Sequence, residues 1–111
     1  MRKIAVPVIG NKLSPHFGHC EQFELFEVEN NKIISENATT SPPHEPGILP
    51  AWLAKQGATD IIASGMGNRA ISLFNEQKIN VFLGSEIKEP KELVQNLIND
   101  NLTTGKNFCD H

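Results

Sequence analysis

Apolar positions along the chain fall into short runs of two periods, and their order predicts the architecture. Lys3–Ile9 is an almost unbroken apolar run rich in β-branched residues, closed by Gly10-Asn11, and reads as a strand buried on both faces. Pro7 has no amide hydrogen to give to a ladder, so pairing is expected to loosen around it. A loop from Gly10 to about Cys20 follows. Phe23–Glu29 sets apolar against acidic residues in the pattern of a half-exposed strand, and Lys32–Asn37 is a second strand-like run beyond Asn30-Asn31. Asparagine tolerates the positive φ of a tight turn, so the two runs read as a β-hairpin.

The three prolines Pro42, Pro43 and Pro46 exclude helix and central strand from Thr40–Gly47. Ile48, Leu49, Trp52 and Leu53 then share one face of a helix that Gly57 ends. Asp60–Ser64 reads as a buried strand running into Gly65-Met66-Gly67. Asn68–Gln77 reads as a helix with Ala70, Ile71 and Phe74 inward, and Ile79–Leu83 as a strand closed by Gly84. Pro90–Leu102 is a last helix, with Pro90 in its first turn and Leu93, Val94, Leu97 and Ile98 on its buried stripe. The predicted fold class is α/β: a single mixed five-stranded sheet in the order β-β-β-α-β-α-β-α, forming one domain over residues 1–102 with a polar tail at 103–111.

Composition narrows the class without naming a function. A chain of 111 residues with 39% hydrophobic and 21% charged residues is that of a soluble globular domain with a real core. A net charge of −3 without a basic cluster gives no footprint for nucleic acid. The chain has neither an apolar span of about twenty residues nor a charged-then-apolar leader, so it is expected in the cytoplasm, off the membrane. In that compartment a bridge between Cys20 and Cys109 is disfavoured, and thiols near histidines point to metal binding or reactivity.

The candidate chemistry sits in Ser14-Pro15-His16-Phe17-Gly18-His19-Cys20. His16, His19 and Cys20 bring imidazole and thiolate donors within five residues, a set suited to zinc, copper or iron–sulfur chemistry rather than magnesium or calcium. The competing reading is a glycine-punctuated turn whose polar residues face water. Topology bears on the choice. If the Asp60 strand lies parallel beside the first strand, the Gly10–Cys20 loop, the Thr40–Gly47 loop with His44, and the Gly65-Met66-Gly67 turn share one rim. Ligands of open α/β sheets bind at such a rim, outside the carboxyl ends of strands. At Ser64–Arg69, two glycines permit close approach of main-chain amides, a helix N-terminus favours anions and Arg69 adds a positive fork. The alternative is a tight turn that needs glycine for its dihedrals. Met66 is either a soft thioether donor or core filler. Cys109 and His111 are further donors in the tail, and the alternative for them is a frayed terminus.

Taken together, Ser14–Cys20, Phe23, the opening Lys3-Ile4-Ala5-Val6-Pro7 and the turn Gly65-Met66-Gly67-Asn68-Arg69-Ala70 resemble the dinitrogenase iron–molybdenum cofactor biosynthesis family, the NifX-like domain also found at the end of NifB. The resemblance spans nearly the whole chain. It implies an RNase H-like α/β fold and binding or carriage of an iron–sulfur precursor or iron–molybdenum cofactor, without catalysis by the domain. It also implies that His16-Phe17-Gly18 is the cofactor-facing loop, with His16 the first candidate ligand. Cys20 is supported by its chemistry rather than by the resemblance.

The expectation is therefore a non-catalytic carrier. Its cofactor-binding residues would be His16, Phe17, Gly18, Gly65, Met66, Gly67, Asn68 and Arg69; its metal donors would come from His16, His19, Cys20, His44, Cys109 and His111. Its partners would be a metallocluster and the proteins that donate or accept it. One alternative is a protein–protein interaction module without metal. Another is a small metal-dependent hydrolase or nuclease, which would need clustered carboxylates; Glu24, Glu27 and Glu29 instead lie along an alternating strand.

Overall fold

The computed structural model describes residues 2–14, 22–40, 48–83 and 89–99. In chain order the elements are β1 (Arg2–Ile9), β2 (Lys12–Leu13), β3 (Gln22–Glu29), β4 (Lys32–Thr40), α1 (Ile48–Lys55), β5 (Asp60–Ile62), α2 (Asn68–Glu76), β6 (Asn80–Phe82) and α3 (Pro90–Ile98). Five strands form the path β4-β3-β1-β5-β6, and β2 pairs β1 off that path.

The sixth strand corrects the expected five and replaces part of the Gly10–Cys20 loop. Gly10 and Asn11 both take left-handed φ, 59° and 66°, and fold Lys12 and Leu13 back onto Ile9 and Val8. A two-residue turn with both central residues at positive φ matches the twist of the flanking strands. The same geometry makes the predicted Asn30-Asn31 hairpin, with φ of 53° and 62°.

Val8 is register partner to Gln22 of β3 and to Leu13 of β2, so these two strands flank β1 on opposite edges. β5 takes the same edge as β2 lower down, parallel to β1 at Ile4 and Ala5. Pro7, with no amide hydrogen, lies where one partner hands over to the other, as expected of a proline in a strand. Its carbonyl still accepts from the Ser14 amide at 2.9 Å.

Successive side chains of a strand alternate between faces, and here both faces are covered. Ala5, Phe23, Leu25 and Ile61 pack with α1 and α2 through Leu49, Leu53 and Phe74. Ile4, Val6, Val8, Phe26, Val28 and Ile62 pack with Leu93, Val94, Leu97 and Ile98 of α3. β3 is thus not half-exposed: the step from Leu25 to Phe26 breaks the alternation and supplies apolar residues to both layers. Trp52 of α1 packs on Phe23 with ring centroids 5.7 Å apart.

Ends of several elements also differ from the sequence expectation. β4 continues to Thr40, opposite Gln22, while α3 stops at Ile98 with Asn99 as its C-cap. β5 ends at Ile62, and the Ala63 amide donates to Phe82 at 2.8 Å.

Two helices end in the same hydrogen-bond pattern on different residues. After α1, Gly57 (φ 87°) donates to Ala54 and Ala58 to Leu53; after α2, Lys78 (φ 61°) donates to Asn75 and Ile79 to Phe74. Both are Schellman caps, whose left-handed residue is least strained as glycine. Lys78→Gly is therefore expected to stabilise the fold by about 0.5–1 kcal/mol. A rise of a few degrees in the thermal midpoint would register it, and an unchanged or lowered midpoint would refute it.

At the lower end of the sheet Asp60 is buried and accepts three hydrogen bonds: from Arg2 Nε at 3.2 Å, Thr59 Oγ1 at 2.7 Å and Asn80 Nδ2 at 3.1 Å. These join the starts of β1, β5 and β6. Among the described residues no helix is long and apolar enough to cross a membrane.

Candidate functional site

Strand directions bring the predicted connections to one rim. β1 and β5 are parallel, β3 runs opposite to both, and β4 runs opposite to β3. Ser14, Gln22, Thr40 and the Ala63–Gly67 turn therefore all lie at the carboxyl-end rim of β1 and β5. Gln22 and Thr40 are register partners, so the start of β3 and the end of β4 lie side by side there. Val8, Gly10, Asn11, Gln22 and Thr40 line a cleft of about 260 Å³ there. The cleft was not foreseen from the sequence, although Gly10-Asn11 is a hairpin signal that would have pointed to it.

His16, Phe17, Gly18, His19, Cys20, His44, Cys109 and His111 all lie outside the described residues. Among the described residues no group of three or more histidine, cysteine, aspartate or glutamate side chains can hold a metal ion.

Gly65, Met66, Gly67, Asn68 and Arg69 are described. Met66 is 1% exposed and belongs to the core beside Phe74 and Leu53, so its thioether faces inward. Gly67 is the N-cap of α2 with φ −68° and ψ 154°, a conformation open to any residue. A Cβ built there would meet nothing within 4 Å. Among the described residues, then, neither dihedral strain nor crowding accounts for glycine at position 67. Among the described residues no side chain caps α2, and its first turn carries no acidic residue. Its leading amides therefore present partial positive charge at the rim, with Arg69 exposed beside them. Such an arrangement is chemically able to hold an anion by hydrogen bonds and charge.

On the α3 side, a separate concavity of about 230 Å³ includes Asn11, Glu24, Phe26, Glu36 and Glu89. Burial, then the charge of Glu36, pushes the Glu24 carboxyl up from its ordinary value. Its ionisation therefore works against folding as pH rises through the carboxylate range.

The family model described as dinitrogenase iron-molybdenum cofactor matches residues 1–100. The chain belongs to that family. The family serves the biosynthesis of iron–molybdenum and iron–sulfur cofactors, and its members are non-catalytic carriers and scaffolds. Uncharacterized protein MJ0580 of Methanocaldococcus jannaschii is 41% identical over 87 residues, 74% of each chain. The crystal structure of PH0822 superposes with a TM-score of 0.86 at 26% identity, covering 92% of this chain and 93% of that one. The apo orange protein of Desulfovibrio gigas gives 0.77 at 20% identity over 96% and 95%, a likeness of fold.

Proposed function

We propose that this chain is a cytoplasmic carrier for an iron–sulfur or iron–molybdenum-type cluster, or its precursor, passing it between a donor and an acceptor protein. The observation that carries the reading is the open, uncapped N-terminus of α2 at Gly67, with Arg69 beside it, on the rim from which the donor-bearing segments depart. Metal–sulfur clusters with thiolate ligands are anionic cargo, and main-chain amides with a guanidinium suit such charge.

In this reading His16, His19 and Cys20 supply soft ligands, with Phe17 and Gly18 shaping the loop between them. Gln22 and Thr40, the described residues that follow the His16–Cys20 run and precede His44 in the sequence, both stand at that rim. His44, Cys109 and His111 are further donors for the same cargo. Gly65–Arg69 holds its charge.

Anaerobic reconstitution with iron and sulfide, followed by absorption and EPR spectra, tests the proposal. Wild type is expected to take up a cluster, and the His16→Ala, Cys20→Ala double variant to lose most of it. No uptake by wild type, or equal uptake by the double variant, would sink the reading.

A further inference from the structure

Among the described residues the buried polar or charged ones are Ser14, Asp60 and Ser64, at 2%, 1% and 5% exposure. Burying a hydroxyl or a carboxylate costs stability unless hydrogen bonds replace those that it made to water. Asp60 meets that condition with three donors. Ser64 does not. Among the described residues nothing hydrogen-bonds its hydroxyl, and the nearby Ala63 and Met66 are core side chains.

The position of Ser64 in the sheet bears on what completes it. β5 pairs with β1 as far as Ile61, opposite Ala5. Higher up, Ser14 holds that edge of β1 through its amide, which donates to the Pro7 carbonyl, while the Ala63 amide donates away from β1, to Phe82 of β6. The carboxyl ends of β1 and β5 therefore part above Ile61, and Ser64 stands where the chain leaves β5. Ligands of open α/β sheets bind outside the carboxyl ends of strands, where neighbouring connections diverge. Ser64 directly precedes Gly65-Met66-Gly67 and the N-terminus of α2, whose leading amides have no intrahelical acceptor. With Arg69 and no acid in the first turn of α2, this stretch offers donors and lacks acceptors.

We propose that the missing acceptor arrives with the cargo: Ser64 is a binding residue of the carrier site, its hydroxyl donating to an anionic sulfur or oxygen on the surface of the bound cluster without ligating the metal. The inference rests on the carrier reading and adds to it a contact that none of the soft donors supplies. It also gives a reason for a hydroxyl at a position where alanine would fit the apolar surroundings.

Ser64→Ala tests it with two readouts. In the protein without cargo, removing a buried hydroxyl that has no partner should leave the thermal midpoint unchanged or raise it by a few degrees. After anaerobic reconstitution with iron and sulfide, the variant should hold its cluster about tenfold less well than wild type against a competing iron chelator, the loss expected for one hydrogen bond to a charged acceptor. A lowered midpoint would mean that the hydroxyl is bonded within the protein, and would overturn the inference. Equal retention by variant and wild type would overturn it too, while leaving the carrier reading in place. A wild type that takes up no cluster would remove both.

Discussion

Asp60→Ala is expected to destabilise the fold by about 3 kcal/mol, read as a lowered midpoint in urea. The magnitude comes from asymmetry of burial. The Asp60 side chain is 2% exposed and Arg2's is 42% exposed. Removing the carboxylate deprives Asn80 Nδ2 of its acceptor at a part-buried site and Arg2 of its ion pair, and it leaves Thr59 Oγ1 only its longer bond to the Lys3 carbonyl, at 3.2 Å. Removing Arg2 instead leaves the buried Asp60 carboxylate with two of its three donors, so Arg2→Ala should cost less than Asp60→Ala, about 1–2 kcal/mol. Equal losses for the two variants would contradict this account.

Gly67→Asp should move stability and function in opposite directions. The backbone at 67 already has N-cap dihedrals, and a carboxylate there accepts from the amides of the first turn. It also complements the helix dipole, and loss of glycine restricts the unfolded chain; together these are worth about 1 kcal/mol of added stability. The same carboxylate fills the open space over α2 and puts negative charge where the proposed cargo's charge would rest. Cluster loading is therefore expected to fall at least about tenfold, a change of about 1.4 kcal/mol in binding. A destabilised variant would mean that glycine is a structural requirement at 67, and a more stable variant with unchanged loading would remove α2 from the site.

The parts of the fold legible in the sequence are those where a local rule and the global packing agree. Asn30-Asn31 is a turn because asparagine tolerates left-handed φ, and the stripe of α3 is buried because its spacing is helical. The parallel placement of β5 beside β1 enters the sequence reading only as a condition, because chain order does not fix which strands pair; the structure supplies that pairing, and with it the shared rim. β2 escaped notice because two residues are too few to show a period, so only the Gly10-Asn11 pair marked it. The strand reading stops at Asn37, short of the end of β4, because Ala38, Thr39 and Thr40 lie on an outer strand where no apolar alternation is needed. At the site, the double-glycine turn was legible as a place, but the inward thioether of Met66 and the open space at Gly67 are facts of packing, which no spacing encodes.

The hand-over at Pro7 divides β1 into two stretches with different neighbours. Below it, β5 and the Asp60 cluster tie the strand into the middle of the sheet; above it, on the same edge, the strand is held by a two-residue partner. Amide exchange along β1 should accordingly run on two clocks. Upper-stretch hydrogens on the β2 edge escape through brief openings of the Gly10-Asn11 hairpin, while those below, and those facing β3, wait for larger unfolding. A change at the upper end of β1 can then leave the foundations of the sheet undisturbed.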